Sequence, residues 1–278
     1  MAAHTSPEQP QQPQQPEQDE LKQCVDLARK YLNDQYPSDL DVEKLANQLK
    51  GHSKFTYVRR VLYKFRNEND LDSDVQERLR EEHGLATYKD KDLPSDRRFE
   101  EALRILAGKE KQPEEPVTEE DFKHVESIET LGQLGAIYRR IWEHDLNRRN
   151  LHVSYAFYLR GYKRALQQLP EGGLADETDR GVSRLASNLA WTGGNAAFVL
   201  DLLAREEDLP AEETALLPAE RLRAQADDIR RDLVKHLGEF TLNKWRRAKS
   251  EGKTDDDDLW WLLATMGETY YGVASAED

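Results

Sequence analysis

The sequence predicts an all-α fold, in which antiparallel helix pairs stack into a curved α-α superhelix. Three observations carry this. Apolar residues recur with a period near 3.6 along most of the chain, and no run alternates with the period of a strand. Small residues fall at the places where paired helices would cross. Hydrophobic residues make up 37% of the 278 and charged residues 34%. That is enough for a core but thin for a compact globule, as expected when each helix pair buries only one seam.

Residues 1–18 are mostly Pro, Gln and Glu. They carry too little apolar area to fold and are expected to form a disordered tail. Residues 19–110 read as N-terminal helical repeats. Leu21, Val25, Ala28, Tyr31 and Leu32 mark a first helix, which Pro37 stops. Asp39 or Asp41 caps a second, with Leu45, Ala46 and Leu49 inward, and Gly51 supplies the turn. Val58, Leu62 and Phe65 face inward on its partner. Asp74 opens the next helix, with Val75 and Leu79 inward. Pro94 breaks the chain, and Phe99, Ala102, Leu103 and Leu106 follow on one face. Residues 111–120, with Pro113 and Pro116, read as a linker or long loop.

Residues 121–278 read as C-terminal repeats whose last member is incomplete. Their centre is the hairpin LGQLGAIYRRIW…VSYAFYLRGY. Leu134, Gly135 and Tyr138 have the Leu-Gly-x-x-Tyr spacing of a tetratricopeptide (TPR) first helix. Gly135 is expected where the partner helix crosses closest, since a side chain there would hold the backbones apart. Ser154, Tyr158 and Gly161 repeat the small, aromatic, small pattern on the second helix. Extra residues, 143–150, are expected to separate the halves, so the repeat exceeds the usual ~34 residues. Trp191 to Ala204 follows as another first helix, with Ala197 in its packing stripe. Pro218 starts its partner, which has Leu222, Ala226, Ile229 and Leu233 inward. In the last helix Met266, Gly267 and Tyr270 repeat the Leu-Gly-x-x-Tyr spacing. Leu134, Gly135, Tyr138, Ser154, Tyr158, Gly161, Ala197, Gly267 and Tyr270 are therefore expected to be repeat-packing positions.

The order of the segments LATYKDKDLPSDRRFEEALRIL, LGAIYRRIW, YLRGY, TGGNAAFVLDLL and LWWLLATMGETYYG resembles the TRAFs-binding domain family. That family takes its name from the central regulatory region of the apoptosis signal-regulating MAP kinase kinase kinases. It also occurs in bacterial TPR proteins that have no kinase. The resemblance covers about residues 39–271. It implies a right-handed solenoid that serves as an interaction and regulatory platform in signalling. No glycine-rich loop, VAIK or HRD-to-DFG series is present, so kinase activity does not come with it.

Several chemistries lack support. A net charge of −14 argues against a nucleic-acid face, which needs clustered Lys and Arg. No apolar run reaches the ~18 residues of a membrane span, and no signal peptide is visible. The single cysteine, Cys24, fits a reducing, cytoplasmic compartment and reads as packing. Gly252-Lys253-Thr254 ends like a P-loop, but Arg247 stands where its first glycine belongs. His144-Asp145 lacks further metal ligands, and Asp255 to Asp258 lack the Gly and distal Glu of a calcium loop. No catalytic, cofactor-binding or metal-ligating residue is assigned, and the chain is read as a non-enzyme.

Two functions are carried forward. The first is a non-catalytic protein–protein interaction scaffold or regulatory module. The second is a regulatory subunit or fragment of a larger enzyme or effector whose catalytic part lies elsewhere. First helices line the concave face of such an array. Gln133, Ile137, Arg140, Asn195, Asp201 and Glu268 lie off the packing seams and are expected to contact a peptide or protein partner. Their polarity predicts salt-sensitive association. The last helix is expected to expose an apolar side through which the chain assembles.

Overall fold

The computed structural model describes residues 15–112, 114–174, 179–207, 218–253 and 257–276. Among them are ten α-helices and one 3-10 turn, and no strand. The chain divides into two compact units, 1–113 and 114–278.

The first unit holds α1 (Gln15–Leu32), α2 (Val42–Gly51), α3 (Phe55–Glu68), α4 (Ser73–Lys89) and α5 (Ser95–Leu106). The Asp41 carboxylate caps α2 by accepting a 2.9 Å hydrogen bond from the Lys44 amide, which satisfies one of the orphan donors of a helix start. Tyr31, Leu45, Leu49, Val61, Leu62 and Leu79 form the core. Cys24 is buried in it and free, and burial raises its thiol pKa, as suits a packing role. Arg66 against His83 and Arg59 against Asp90 run α3 antiparallel to α4. Arg78 with Glu43 and Lys50 with Glu82 run α2 parallel to α4. Helices alternate in direction and every second one is parallel, as in a stacked hairpin array.

The second unit begins with a 3-10 turn, Glu119–Phe122, closed by a capping box between Thr118 and Asp121. Then come α6 (Ile128–Asp145), α7 (Arg148–Gln167), α8 (Arg180–Glu207), α9 (Ala219–Glu251) and α10 (Asp257–Ala276). The α6–α7 crossing is set by absent atoms. A Cβ on Gly135 would stand 2.7 Å from the Tyr158 ring of α7, and one on Gly132, where α6 meets α8, would stand 2.4 Å from the Trp191 ring. Ser154 Oγ donates a 2.7 Å hydrogen bond to the Gly135 carbonyl across the same crossing. Arg184 with Glu129 and Arg139 with Asn195 run α6 parallel to α8. Leu134, Tyr138, Ser154, Tyr158, Gly161 and Ala197 are all buried.

Several local expectations are corrected. Gln15–Gln18 lie inside α1 rather than in a tail, because Pro16 falls in the first turn, where a missing N–H costs nothing, and Gln and Glu are good helix formers. The rest of the expected tail lies outside the described residues. Gly51 is the last residue of α2, and the left-handed turn falls on Ser53 at φ 55°. The segment 111–120 is not loop throughout, since the 3-10 turn starts at Glu119. The extra residues 143–150 mostly lengthen the two helices, and Leu146, at φ 54°, makes the turn between them. Gly267 and Tyr270 are exposed rather than packed. The helix turns 100° per residue, and α10 docks through Leu259, Leu262, Met266 and Thr269, so the neighbour of Met266 points away. A Cβ on Gly267 would meet nothing within 4 Å.

Candidate functional site

The face expected to hold a partner in the second unit is largely occupied by the protein itself. Gln133 is 2% exposed and Ile137 is fully buried. Both are closed off from solvent, so neither is available to a partner. The buried surface of α6 is wider than the Leu134, Gly135, Tyr138 stripe. Asn195 is half-buried. Its amide donates to the Trp191 carbonyl at 2.8 Å, and its Oδ1 accepts from Arg139 at 3.2 Å. Asp201 is ion-paired with Arg230 of α9. Arg140 is exposed and pairs with Glu143 within its own helix. Glu268 is exposed on α10.

The outer face of α10 differs in kind. Trp260, Ala264, Gly267 and Tyr271 fall at spacings of four, three and four, and all are exposed. Trp260 is 61% exposed and Tyr271 is 77% exposed. Trp261 and Tyr270 flank the stripe and are about half exposed. Aromatic side chains are costly to leave in water, and a contiguous group of them is the usual mark of an interaction surface.

The first unit carries a groove of about 1020 Å³ between α3 and α5, with His83 of α4 at its floor. One wall is Arg59, Arg60, Tyr63, Lys64 and Asn67 of α3; the other includes Arg97, Glu100, Glu101 and Arg104 of α5. His83 is 2% exposed. Its Nδ1 lies 2.9 Å from an Arg66 guanidinium nitrogen. A guanidinium can only donate, so Nδ1 accepts and Nε2 carries the ring proton. Burial, with Arg66 and then Arg59 adding like charge, lowers the His83 pKa to about 3. The ring is neutral at ordinary pH. Arg66 also pairs with Glu110 at 2.7 Å.

The ion pairs of the groove are uneven. Arg59 Nε meets Asp90 at 2.9 Å, and the Asp90 side chain is 1% exposed. Thr56 Oγ1 and the Asp92 amide also donate to Asp90. Lys64 pairs with Asp34, Arg97 with Glu101 and Arg104 with Glu100. Arg60 is exposed and has no partner among the described residues.

Sequence reasoning did not single out this groove. Its signal was present as Arg59, Tyr63 and Arg66 at plus four and plus seven on α3, and Arg97, Glu101 and Arg104 at the same spacing on α5. Each stripe by itself reads as a solvated helix face. Only the tertiary structure turns the two stripes toward one floor. No group of three or more metal-ligating side chains occurs among the described residues. Gly252, from the P-loop-like segment, adopts φ 67° and terminates α9 in a left-handed cap, as glycine does at helix ends. The Asp145 carboxylate accepts from the Asn147 amide and the Asn150 side chain, which gives it a turn-forming role. No helix among the described residues is long and apolar enough to cross a membrane.

The Tetratricopeptide Repeats-Sensor (TPR-S) family matches residues 54–200, over half of the chain. No curated protein and no solved structure matches it.

Proposed function

The chain belongs to the Tetratricopeptide Repeats-Sensor family, and from that premise we propose that it is a non-catalytic interaction and regulatory module that assembles through α10. The family's TPR-type architecture is consistent with protein interaction, and its name is in keeping with a sensing role. The resemblance to the TRAFs-binding domain family supports a place in signalling. The buried lone Cys24 suits a reducing cytoplasm.

The observation that carries the reading is the Trp260, Ala264, Gly267, Tyr271 stripe. Read from either end it runs aromatic, small, small, aromatic. Two copies of α10 laid antiparallel about a two-fold axis therefore place small residues opposite small ones and Trp260 opposite Tyr271. This is the self-complementarity an isologous interface requires. The small residues let the helix axes approach, and antiparallel helices align their dipoles favourably. At roughly 200 Å² per aromatic side chain, the exposed parts of Trp260, Trp261, Tyr270 and Tyr271 amount to about 500 Å². Two copies then bury about 1,000 Å², the lower bound for a specific interface. The occupant we assign is a second copy of this chain, held in a reversible dimer.

Sedimentation velocity over a hundredfold concentration range tests this. The expected result is a monomer–dimer equilibrium that Trp260→Ala with Tyr271→Ala abolishes without loss of helicity. A strict monomer at every concentration overturns the reading, as does a dimer that the double variant leaves intact.

A further inference from the structure

We propose that the α3–α5 groove of the first unit is a binding site for a small oxyanion, a metabolite bearing a phosphate or carboxylate group. Three protein groups converge on one space there, and two of them, the His83 Nε2–H and the Arg60 guanidinium, have no protein partner among the described residues. His83 Nε2–H is a donor at the floor, and among the described residues the only hydrogen-bond partner of the ring is Arg66 at Nδ1. Arg60 brings a guanidinium without a counterion on the wall. Tyr63, one turn on, is 56% exposed in the groove, and its ring centroid lies 6.0 Å from that of His83.

The free groups decide the sign of the ligand. Five cations, Arg59, Arg60, Lys64, Arg97 and Arg104, line the groove beside four carboxylates, Glu68, Glu100, Glu101 and Glu110, and the cation without a counterion among the described residues is Arg60. Arg66 lies beneath the floor with a side chain only 7% exposed, and its buried Nε has no partner. A buried N–H donor without an acceptor is costly, and more so beside a desolvated cation. One oxyanion oxygen on His83 Nε2–H, with the remaining charge facing Arg60, gives each of these two groups an acceptor. A cation has no place at that floor. The ring has already committed its only lone-pair nitrogen to Arg66, so it offers a donor and no acceptor.

His83 acts as a neutral donor of fixed tautomer, set by Arg66, and Arg66 is in turn set by Glu110. The cavity is too open to exclude water and too polar for an apolar ligand. Glu68, Glu100, Glu101 and Glu110, which also line it, repel additional anionic groups. The ligand is therefore compact in its charge, with a single phosphate or carboxylate rather than a polyanion. This site is distinct from the α10 surface and does not depend on it.

The experiment is titration of the full chain with inorganic phosphate and, separately, with acetate, against chloride at matched ionic strength. It is read by the His83 Nε2 resonance in a long-range ¹H–¹⁵N spectrum and by calorimetry. Saturable binding is expected, with the His83 signal shifting in step. Preference for phosphate over acetate, or the reverse, identifies the source of the oxyanion. Arg60→Glu, an exposed substitution with no partner to lose, should weaken binding at least about tenfold, as expected for loss and reversal of one charged contact, without changing the melting temperature. Tyr63→Ala provides a second variant that leaves the floor intact and should weaken binding less. Three outcomes overturn the proposal: no saturable binding of either probe, equal binding by Arg60→Glu, or binding that leaves the His83 resonance unmoved. An oligoglutamate peptide that binds this groove while phosphate and acetate do not assigns it to an acidic protein segment and overturns the small-molecule site.

Discussion

Ser154 Oγ reaches across the α6–α7 crossing to the carbonyl of Gly135 at 2.7 Å. A side chain reaches a partner helix's backbone this closely only where nothing stands between them. The absent Cβ of Gly135 and the short arm of Ser154 are two halves of one contact.

Gly135→Ala tests that contact. In an exposed helix the change would gain about 1 kcal/mol of helix propensity. Here the new methyl meets the Tyr158 ring at 2.7 Å, and overpacking costs about 1–3 kcal/mol. The clash outweighs the propensity, so Ala should destabilise and Leu should destabilise further, by denaturant unfolding. Stabilisation by Ala would show that the helices part easily.

Gly132 and Trp191 make the equivalent contact between parallel helices α6 and α8. Gly132→Ala should destabilise the wild-type background and be much less harmful in Trp191→Leu. A double-mutant cycle should return a coupling of about 0.5–3 kcal/mol. A coupling near zero would mean that α8 shifts to absorb the methyl.

Asp90 ties α3 to the α4–α5 turn through Arg59, Thr56 and the Asp92 amide. Asp90→Ala strands Arg59 and the Asp92 amide at a site where the carboxylate side chain was 1% exposed, while Thr56 keeps the Asp92 carboxylate at 2.7 Å as acceptor. Arg59 remains partly exposed and can be rehydrated, which limits the loss to about 2–4 kcal/mol. Urea unfolding of the variant measures it. A loss below the error of extrapolation would show that the turn holds without the carboxylate.

His83 makes the first unit sensitive to mild acid. Its pKa falls from the ordinary 6.5 to about 3 because it is buried and faces Arg66 and Arg59. The unfolded chain therefore takes up this proton first. The contribution is fully present above pH 6.5 and is lost as pH falls toward 3, with a limiting slope of about 1.4 kcal/mol per pH unit. The charged groups nearest the ring are Arg66, Arg59, Asp90 and Glu110, and the loss sets in just below pH 6.5. The comparison therefore belongs between pH 6.5 and 5. Wild type should lose stability there and His83→Gln should lose markedly less. Parallel curves would place the acid sensitivity elsewhere.

The fold class was legible in the sequence because helical periodicity and crossing-point glycines are local properties. Gly135, Tyr138, Ser154 and Tyr158 could be placed on their seam from spacing, since a helix carries its faces at fixed angles. Helix lengths were less legible. The residues between α6 and α7 read as loop, yet most are helical, because packing against neighbours extends helices that propensity alone leaves undecided.

What sequence by itself determined, then, is which side of each helix is apolar and where two helices come closest. Which further neighbours cover that side was decided only by tertiary structure. Gln133 and Ile137 look free on a two-helix hairpin and are buried in the folded chain. Gly267 and Tyr270 carry the packing spacing and are exposed, because α10 rotates Met266 and Leu262 toward the core. The α3 and α5 basic stripes look like solvated faces until the array sets them about the neutral ring of His83. The physical reason is the same in each case. Periodicity specifies the angle of a residue about its own helix axis, while burial and charge environment depend on how many other helices lie along that direction.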